Sequence, residues 1–306
     1  MTSAGFLPQI RPLPYASDLA VDRVTLKSRT QMADKNAGAP IELYQESYGQ
    51  GDPLLCLHGF GGTLYSWRNF VEPLSKDYQL VLFDLKGFGK SPKPNDTRYS
   101  PFDHAELIYR FILEQDLKRL RLIGNSFGGA ISLVLAIMLQ DQGELARLQS
   151  LILIDPGAYK EYVPLYLKFL SVPLVNLGAY LIPSEFAVRT ILRNAYYDPN
   201  KISDEQVTAY ATPLSEPGAR HALLETGKQL VPPNFDELVV KYKSIETPAL
   251  IIWGRQDKIL PLECGERLNR DLPNSTLKVI DQCGHMPQEE KPEETIPLVL
   301  DFLAPH

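Results

Sequence analysis

Residues 118–135 read Lys118-Arg119-Leu120-Arg121-Leu122-Ile123-Gly124-Asn125-Ser126-Phe127-Gly128-Gly129-Ala130-Ile131-Ser132-Leu133-Val134-Leu135, and the rest of the chain is interpreted from them. Leu120, Leu122 and Ile123 form a short apolar run that predicts a buried strand. Gly124-Asn125-Ser126-Phe127-Gly128 matches G-x-S-x-G, and the apolar stretch after Gly129 predicts a helix, so the motif has a strand before it and a helix behind it. A serine at the tip of such a turn sits in strained backbone. Glycines on either side let the turn close. The hydroxyl is then held at a helix N-terminus, where free N–H groups and the positive dipole end favour developing negative charge.

Working outward, the chain predicts an α/β fold. Pro53–His58, Leu80–Asp84, Leu120–Ile123, Leu151–Ile154, Pro248–Trp253 and Leu277–Ile280 read as continuous apolar strands. Helical patterns over Tyr65–Leu74, Phe102–Glu114, Ala130–Leu139 and Glu263–Asp271 fall between most of them. That alternation predicts a mostly parallel central sheet with helices on both faces. Val21–Leu26 and Ile41–Tyr48 alternate apolar with polar residues across a turn-rich linker and predict an antiparallel hairpin, behind a proline-rich arm at residues 1–18. Between Asp155 and Pro248 no strand is evident, and the interval is too long for a bare loop. It predicts a helical lid at residues 158–240, between core parts at 1–157 and 241–306. The interval is rich in aromatics, among them Tyr159, Tyr162, Tyr196, Tyr197 and Tyr210. They fit either an apolar, ring-bearing or acyl substrate or the lid's own core.

Composition removes other classes. The chain has 306 residues, a net charge of −6 and no basic stripe, which argues against a nucleic-acid partner. Cys56, Cys264 and Cys283 are an odd set without close pairing, so no disulfide framework and no metal site is expected. Residues 163–182 are the most hydrophobic stretch, but two prolines and Lys168 interrupt it, so no stable membrane insertion is expected. The first residues lack a charged start followed by an apolar run, and the cytoplasm is the default expectation.

A serine nucleophile needs a base, and the base needs an orienting acid. Of the five histidines, His285 follows the last predicted strand, in Asp281-Gln282-Cys283-Gly284-His285-Met286-Pro287. Active sites of parallel sheets collect at the carboxyl ends of strands, so His285 is the predicted base. His58 is read as a brace for its loop, and His104 and His221 as surface or lid polar groups. For the acid, Asp257 and Asp155 both end strands; Asp257 is preferred because Asp155-Pro156 also reads as a turn opener. The oxyanion of a tetrahedral intermediate needs two donors. Phe127 N–H, just after the serine, is one candidate. Phe60 N–H, in His58-Gly59-Phe60-Gly61-Gly62, is the other. Asp84 is assigned to a turn over Asp84–Ser91.

These motifs, in this order, resemble the lidded branch of the α/β-hydrolase family over about residues 40–160 and 245–303. The resemblance implies a Ser126–His285–Asp257 triad, an oxyanion hole from Phe60 and Phe127 N–H, and no organic or metal cofactor. Epoxide hydrolases and haloalkane dehalogenases of that branch carry an aspartate where Ser126 stands. The serine implies acyl-enzyme chemistry on an ester or similar carbonyl substrate of small-molecule size. Carbon–carbon bond hydrolases of ring-cleavage products (vinylogous diketones) are the alternative, and a ligand-binding receptor or scaffold that kept the fold is another.

Overall fold

The computed structural model describes residues 41–164 and 183–304. Seven strands form one sheet in the order β1-β3-β2-β4-β5-β6-β7. They are β1 (Gln45–Tyr48), β2 (Asp52–Leu57), β3 (Tyr78–Phe83), β4 (Leu120–Asn125), β5 (Leu148–Ile154), β6 (Ala249–Gly254) and β7 (Ser275–Ile280). All neighbouring pairs are parallel except β1 with β3, which is antiparallel, with Gln45 opposite Phe83 and Tyr48 opposite Leu80. The expected parallel α/β sheet is therefore present. The hairpin expectation is half outside the described residues, because Val21–Leu26 precedes residue 41.

Apolar runs form these strands because both sheet faces are covered. Successive side chains point to opposite faces. Leu55 and Leu57 of β2 enter one core, and Leu54 and Cys56 the other. In β6, Ile251 and Trp253 enter the first, and Leu250 and Ile252 the second. Helices α2 (Pro101–Glu114) and α3 (Phe127–Asp141) cover the first face, and α1 (Arg68–Leu74) covers the second. Helix α2 starts at a capping box: Ser100 Oγ accepts from Asp103 N–H at 3.2 Å, and Asp103 Oδ2 accepts from Ser100 N–H at 3.0 Å. Helix α3 is apolar almost all round and buried along most of its length, so it serves as a core element.

Between β5 and β6 the chain forms α4 (Ser184–Ala195), α5 (Asp204–Leu214), α6 (Ala219–Gln229) and α7 (Phe235–Lys241). Helices α4 and α5 share their own small core of Val188, Leu192, Ala195, Tyr196, Val207, Tyr210 and Ala211. Phe235 and Leu238 of α7 instead join the sheet's first core. After β6 come α8 (Leu262–Asp271), α9 (Pro287–Glu290) and α10 (Pro292–Leu303); α8 packs on the first face and α10 on the second. Among the described residues, no helix is long and apolar enough to cross a membrane.

Candidate active site

The turn between β4 and α3 is as tight as its glycines allow. A Cβ on Gly124 would lie 2.4 Å from the Gly128 carbonyl oxygen, and one on Gly128 only 2.0 Å from the Leu57 carbonyl oxygen. No side chain fits at either position. Ser126 takes φ 53° and ψ −112°, a conformation that costs an L-residue energy. Its N–H donates to Ile154 O at 2.9 Å, and its carbonyl accepts from Gly157 N–H at 3.0 Å. The neighbouring strand end thus holds the strained residue from both sides.

Ser126 Oγ lies 2.8 Å from His285 Nε2, and His285 Nδ1 lies 2.6 Å from Asp257 Oδ2. A carboxylate only accepts, so Nδ1 carries the proton and Nε2 is left to accept from the serine hydroxyl. Asp257 Oδ1 accepts from the N–H groups of Ile259 at 2.7 Å and Leu260 at 3.0 Å, which fixes the carboxylate's orientation. His285 is nearly buried, 7% exposed. The fold thus brings together the three side chains singled out in the sequence, from three different strand ends.

Asp155, the rival acid, sits behind this line. It is fully buried, and Oδ1 accepts from Gly254 N–H at 3.0 Å. Its other oxygen has no N–H aimed at it. Oxygen atoms of Asp155 and Asp257 and a ring nitrogen of His285 lie within 4.8 Å of one another. Burial first, then the Asp257 charge, push the Asp155 carboxyl well above the usual carboxylate range. Its charged form is therefore disfavoured, and Asp257 alone bonds the imidazole. These three residues are the one candidate metal group among the described residues. The 2.6 Å separation of Asp257 Oδ2 and His285 Nδ1 leaves no space for an ion between them.

Phe127 N–H opens α3, among the four N–H groups a helix cannot bond internally. Phe60 lies in the loop after β2. A Cβ on Gly59, its neighbour, would be 3.3 Å from Ser126 Cβ, so this loop runs alongside the serine. His58 braces it: Nδ1 donates to Gly59 O at 2.8 Å, and Nε2 accepts from Leu85 N–H at 3.0 Å. Burial pushes this imidazole down to about 4, so it stays neutral. Asp84 does more than open a turn. Its buried carboxylate accepts from Leu64 N–H and from Lys90 N–H, both at 2.7 Å, and locks the Asp84–Ser91 turn to the loop after β2.

His104 corrects an expectation. It is buried in α2, not on the surface, with its ring 5.2 Å from that of Phe127 and stacked against Phe88. His221 lies on α6 with Nε2 2.7 Å from Asp96 O. Two residues that hold the His285 loop escaped the sequence reading. Asn125 Nδ2 donates to the carbonyls of Ile154 and His285, both at 3.2 Å. Glu290 is buried beneath the His285 loop. Asn125 occupies a variable position of the G-x-S-x-G pattern, and Glu290 belongs to an acidic pair that reads as solvent-exposed.

Tyr159, Tyr196 and Tyr210 are buried, and their hydroxyls are bonded to Asp271, Gln206 and Glu289. They are structural, so the aromatic content of the interval does not by itself describe a substrate. Other apolar residues, half-buried, lie on the loops that carry the site. Phe60 precedes the glycines of the β2 loop, Ile259 follows Asp257, and Met286 follows His285.

Comparison with known proteins agrees with this architecture. The family model described as alpha/beta hydrolase fold matches residues 52–173 and 188–292. The uncharacterized hydrolase YugF of Bacillus subtilis (strain 168) is 30% identical over 86% of this chain and 94% of its own. A 2-hydroxy-6-oxononadienedioate/2-hydroxy-6-oxononatrienedioate hydrolase of Pseudomonas putida is also 30% identical, over 86% of this chain and 92% of its own. The crystal structure of an alpha/beta hydrolase fold protein from Burkholderia ambifaria superposes with a TM-score of 0.76 at 22% identity, covering 92% of this chain and 100% of that one. With the family model matched over most of its length, the chain belongs to the α/β-hydrolase fold family, as a hydrolase.

Proposed function

We propose that this chain is a serine hydrolase that cleaves an ester or similar carbonyl substrate through an acyl-enzyme. The observation that carries the reading is the unbroken line from Ser126 Oγ through the His285 ring to the Asp257 carboxylate, at 2.8 and 2.6 Å. Ser126 Oγ attacks the carbonyl carbon and passes its proton to Nε2. Asp257 holds the imidazole in the accepting tautomer and stabilises the imidazolium. Phe127 N–H and Phe60 N–H receive the oxyanion, and losing one such donor typically costs about 3 kcal/mol, roughly a hundredfold in rate. Nε2–H then protonates the leaving group, and water, deprotonated by the same nitrogen, releases the acid. The helices between β5 and β6 cap the site, and Phe60, Ile259 and Met286 favour an apolar acyl portion.

A second reading is carbon–carbon cleavage of a vinylogous diketone. The Pseudomonas putida relative, named as a hydrolase of a 2-hydroxy-6-oxo dienedioate or trienedioate, favours it. Both readings use the same serine and histidine. A fluorophosphonate probe applied to the wild type and to Ser126→Ala tests what they share: stoichiometric labelling is expected only in the wild type. Parallel kcat/KM measurements on aryl esters and on ring-cleavage diketones then separate them. A clear preference for the diketone would replace the first reading with the second. Tight stoichiometric binding without labelling or turnover would overturn both.

A further inference from the structure

One buried carboxylate joins the loop that carries His285 to the backbone leaving α4. Glu290 is 1% exposed. Its Oε2 accepts from Gly284 N–H at 2.7 Å and from Tyr197 N–H at 3.1 Å, and its Oε1 accepts from Asp198 N–H at 2.7 Å. Its own carbonyl accepts from Lys201 Nζ at 2.6 Å. Beside it, His285 N–H donates to Ala195 O at 2.6 Å. The two segments touch so closely that a Cβ on Gly284 would lie 2.1 Å from Ala195 O.

We propose that Glu290 is a positioning residue: it clamps the backbone of His285 to the Ala195–Asp198 segment, making this part of the insertion a fixed wall of the active site and not a moving lid. The inference rests on the reading of His285 as the base. The imidazole is aimed at Ser126 by bonds at its ring and on both sides of its α-carbon. Asp257 holds Nδ1, Ala195 O takes the N–H, and Asn125 Nδ2 holds the carbonyl. Glu290 fixes the residue just before it. A misplacement of about 1 Å can cost about 10²-fold in rate, so the clamp matters although Glu290 touches neither Ser126 nor the space beside it.

The residue type follows from the donors. Three backbone N–H groups converge on one side chain, and only a carboxylate has acceptor capacity for all of them. A glutamine would turn its NH2 toward one of those N–H groups and break the clamp on one side. Charge-assisted bonds are also the stronger kind. The neighbouring Glu289 binds the insertion in a separate way: it accepts from Arg68, from Gln206 Nε2 at 2.8 Å and from Tyr210 OH at 2.6 Å. Changes at Glu290 therefore leave a second tie between α5 and the core.

The test compares wild type, Glu290→Gln and Glu290→Ala by steady-state kinetics on the best substrate from the screen, and by amide hydrogen exchange read by mass spectrometry. Expected is a kcat lowered about tenfold in Glu290→Gln and about 10²-fold in Glu290→Ala, with KM changed by less than about twofold, the signature of lost transition-state alignment. Exchange should rise together in peptides covering 195–198 and 283–286, while those covering β4 and α3 stay protected. Unchanged kcat in both variants, or exchange rising on one side only, would overturn the proposal. If Glu290→Ala does not fold, Glu290→Gln carries both measurements. Absence of wild-type turnover and labelling would reject the reading of His285 as base. The exchange pattern would still decide whether Glu290 couples the two segments.

Discussion

Asp155 and Asp257 follow neighbouring parallel strands, and burial beside the Asp257 side chain pushes the Asp155 carboxyl up. Asp155 has a single N–H donor, whereas Asp257, its side chain equally buried, has two N–H donors and the imidazole. A carboxyl that already holds its proton can become an amide without changing the charge beside His285. Asp155→Asn is therefore expected to leave the shape of the kcat/KM pH profile unchanged. An acid limb displaced toward lower pH would show that Asp155 had been ionised. In the proposed mechanism Asp257→Asn is a different change, because it removes the group that holds the imidazole tautomer and stabilises the imidazolium; the expected loss is about 10⁴-fold in kcat. Both strand-end aspartates were visible in the sequence. Which one bonds the histidine depends on the direction each side chain takes after its strand, and that direction is tertiary.

At the scale of elements, the β4–α3 turn was legible because its determinants are local. Gly124, Ser126 and Gly128 lie within five residues, and an apolar strand and an apolar helix flank them. What the sequence could not show is how closely α3 sits on β2. With the Leu57 carbonyl 2.0 Å from where a Gly128 Cβ would stand, Gly128→Ala must push the helix off the strand. Overpacking of this kind typically costs about 1–3 kcal/mol. Urea denaturation should give a lower midpoint with an unchanged m-value. A wild-type midpoint would mean that the turn relaxes freely, against the strain argued for Ser126. The edge strand β1 shows the limit of pattern reading. Its alternation was plain, but its partner β3 lies more than thirty residues away, and pairing leaves no local mark.

For the whole molecule, burial of titratable groups sets the response to pH. His58 is pushed down to about 4 by burial, and His104 to about 3 by burial and then by the Lys86 charge. An unfolded histidine titrates near pH 6.5, so between there and about pH 4 the unfolded chain binds protons that the native state refuses. The stability these two groups contribute is complete above about pH 6.5 and is lost as pH falls toward their native values, by about 1.4 kcal/mol per pH unit for each. Asp84 works in the opposite sense. Burial pushes it up to about 6, so the native state keeps its proton where the unfolded chain has lost it, and stability falls as pH rises from about 4 to 6. Unfolding free energies measured from pH 4.5 to 7 should show a shallower slope in His104→Phe than in the wild type, by close to one proton. Equal slopes would mean that His104 takes up its proton in the folded state. The surface reading of His104 failed because a histidine near a helix start looks polar in sequence. Phe88, Tyr99 and Phe127, which bury it, come from other segments.

The sequence by itself determined the alternation of apolar strands with helices, the sharp serine turn, the late histidine and the length of the interval between β5 and β6. Each of these is written in nearest-neighbour patterns, because backbone sterics and hydrophobic periodicity act over a few residues. Only the tertiary structure decided that Asp257 and not Asp155 meets His285, that His104 is buried, and that Glu290 ties the insertion to the histidine loop. Those outcomes depend on groups far apart in the chain sharing one low-dielectric space, where desolvation and the supply of N–H donors choose the charge state and partner of each carboxyl and imidazole.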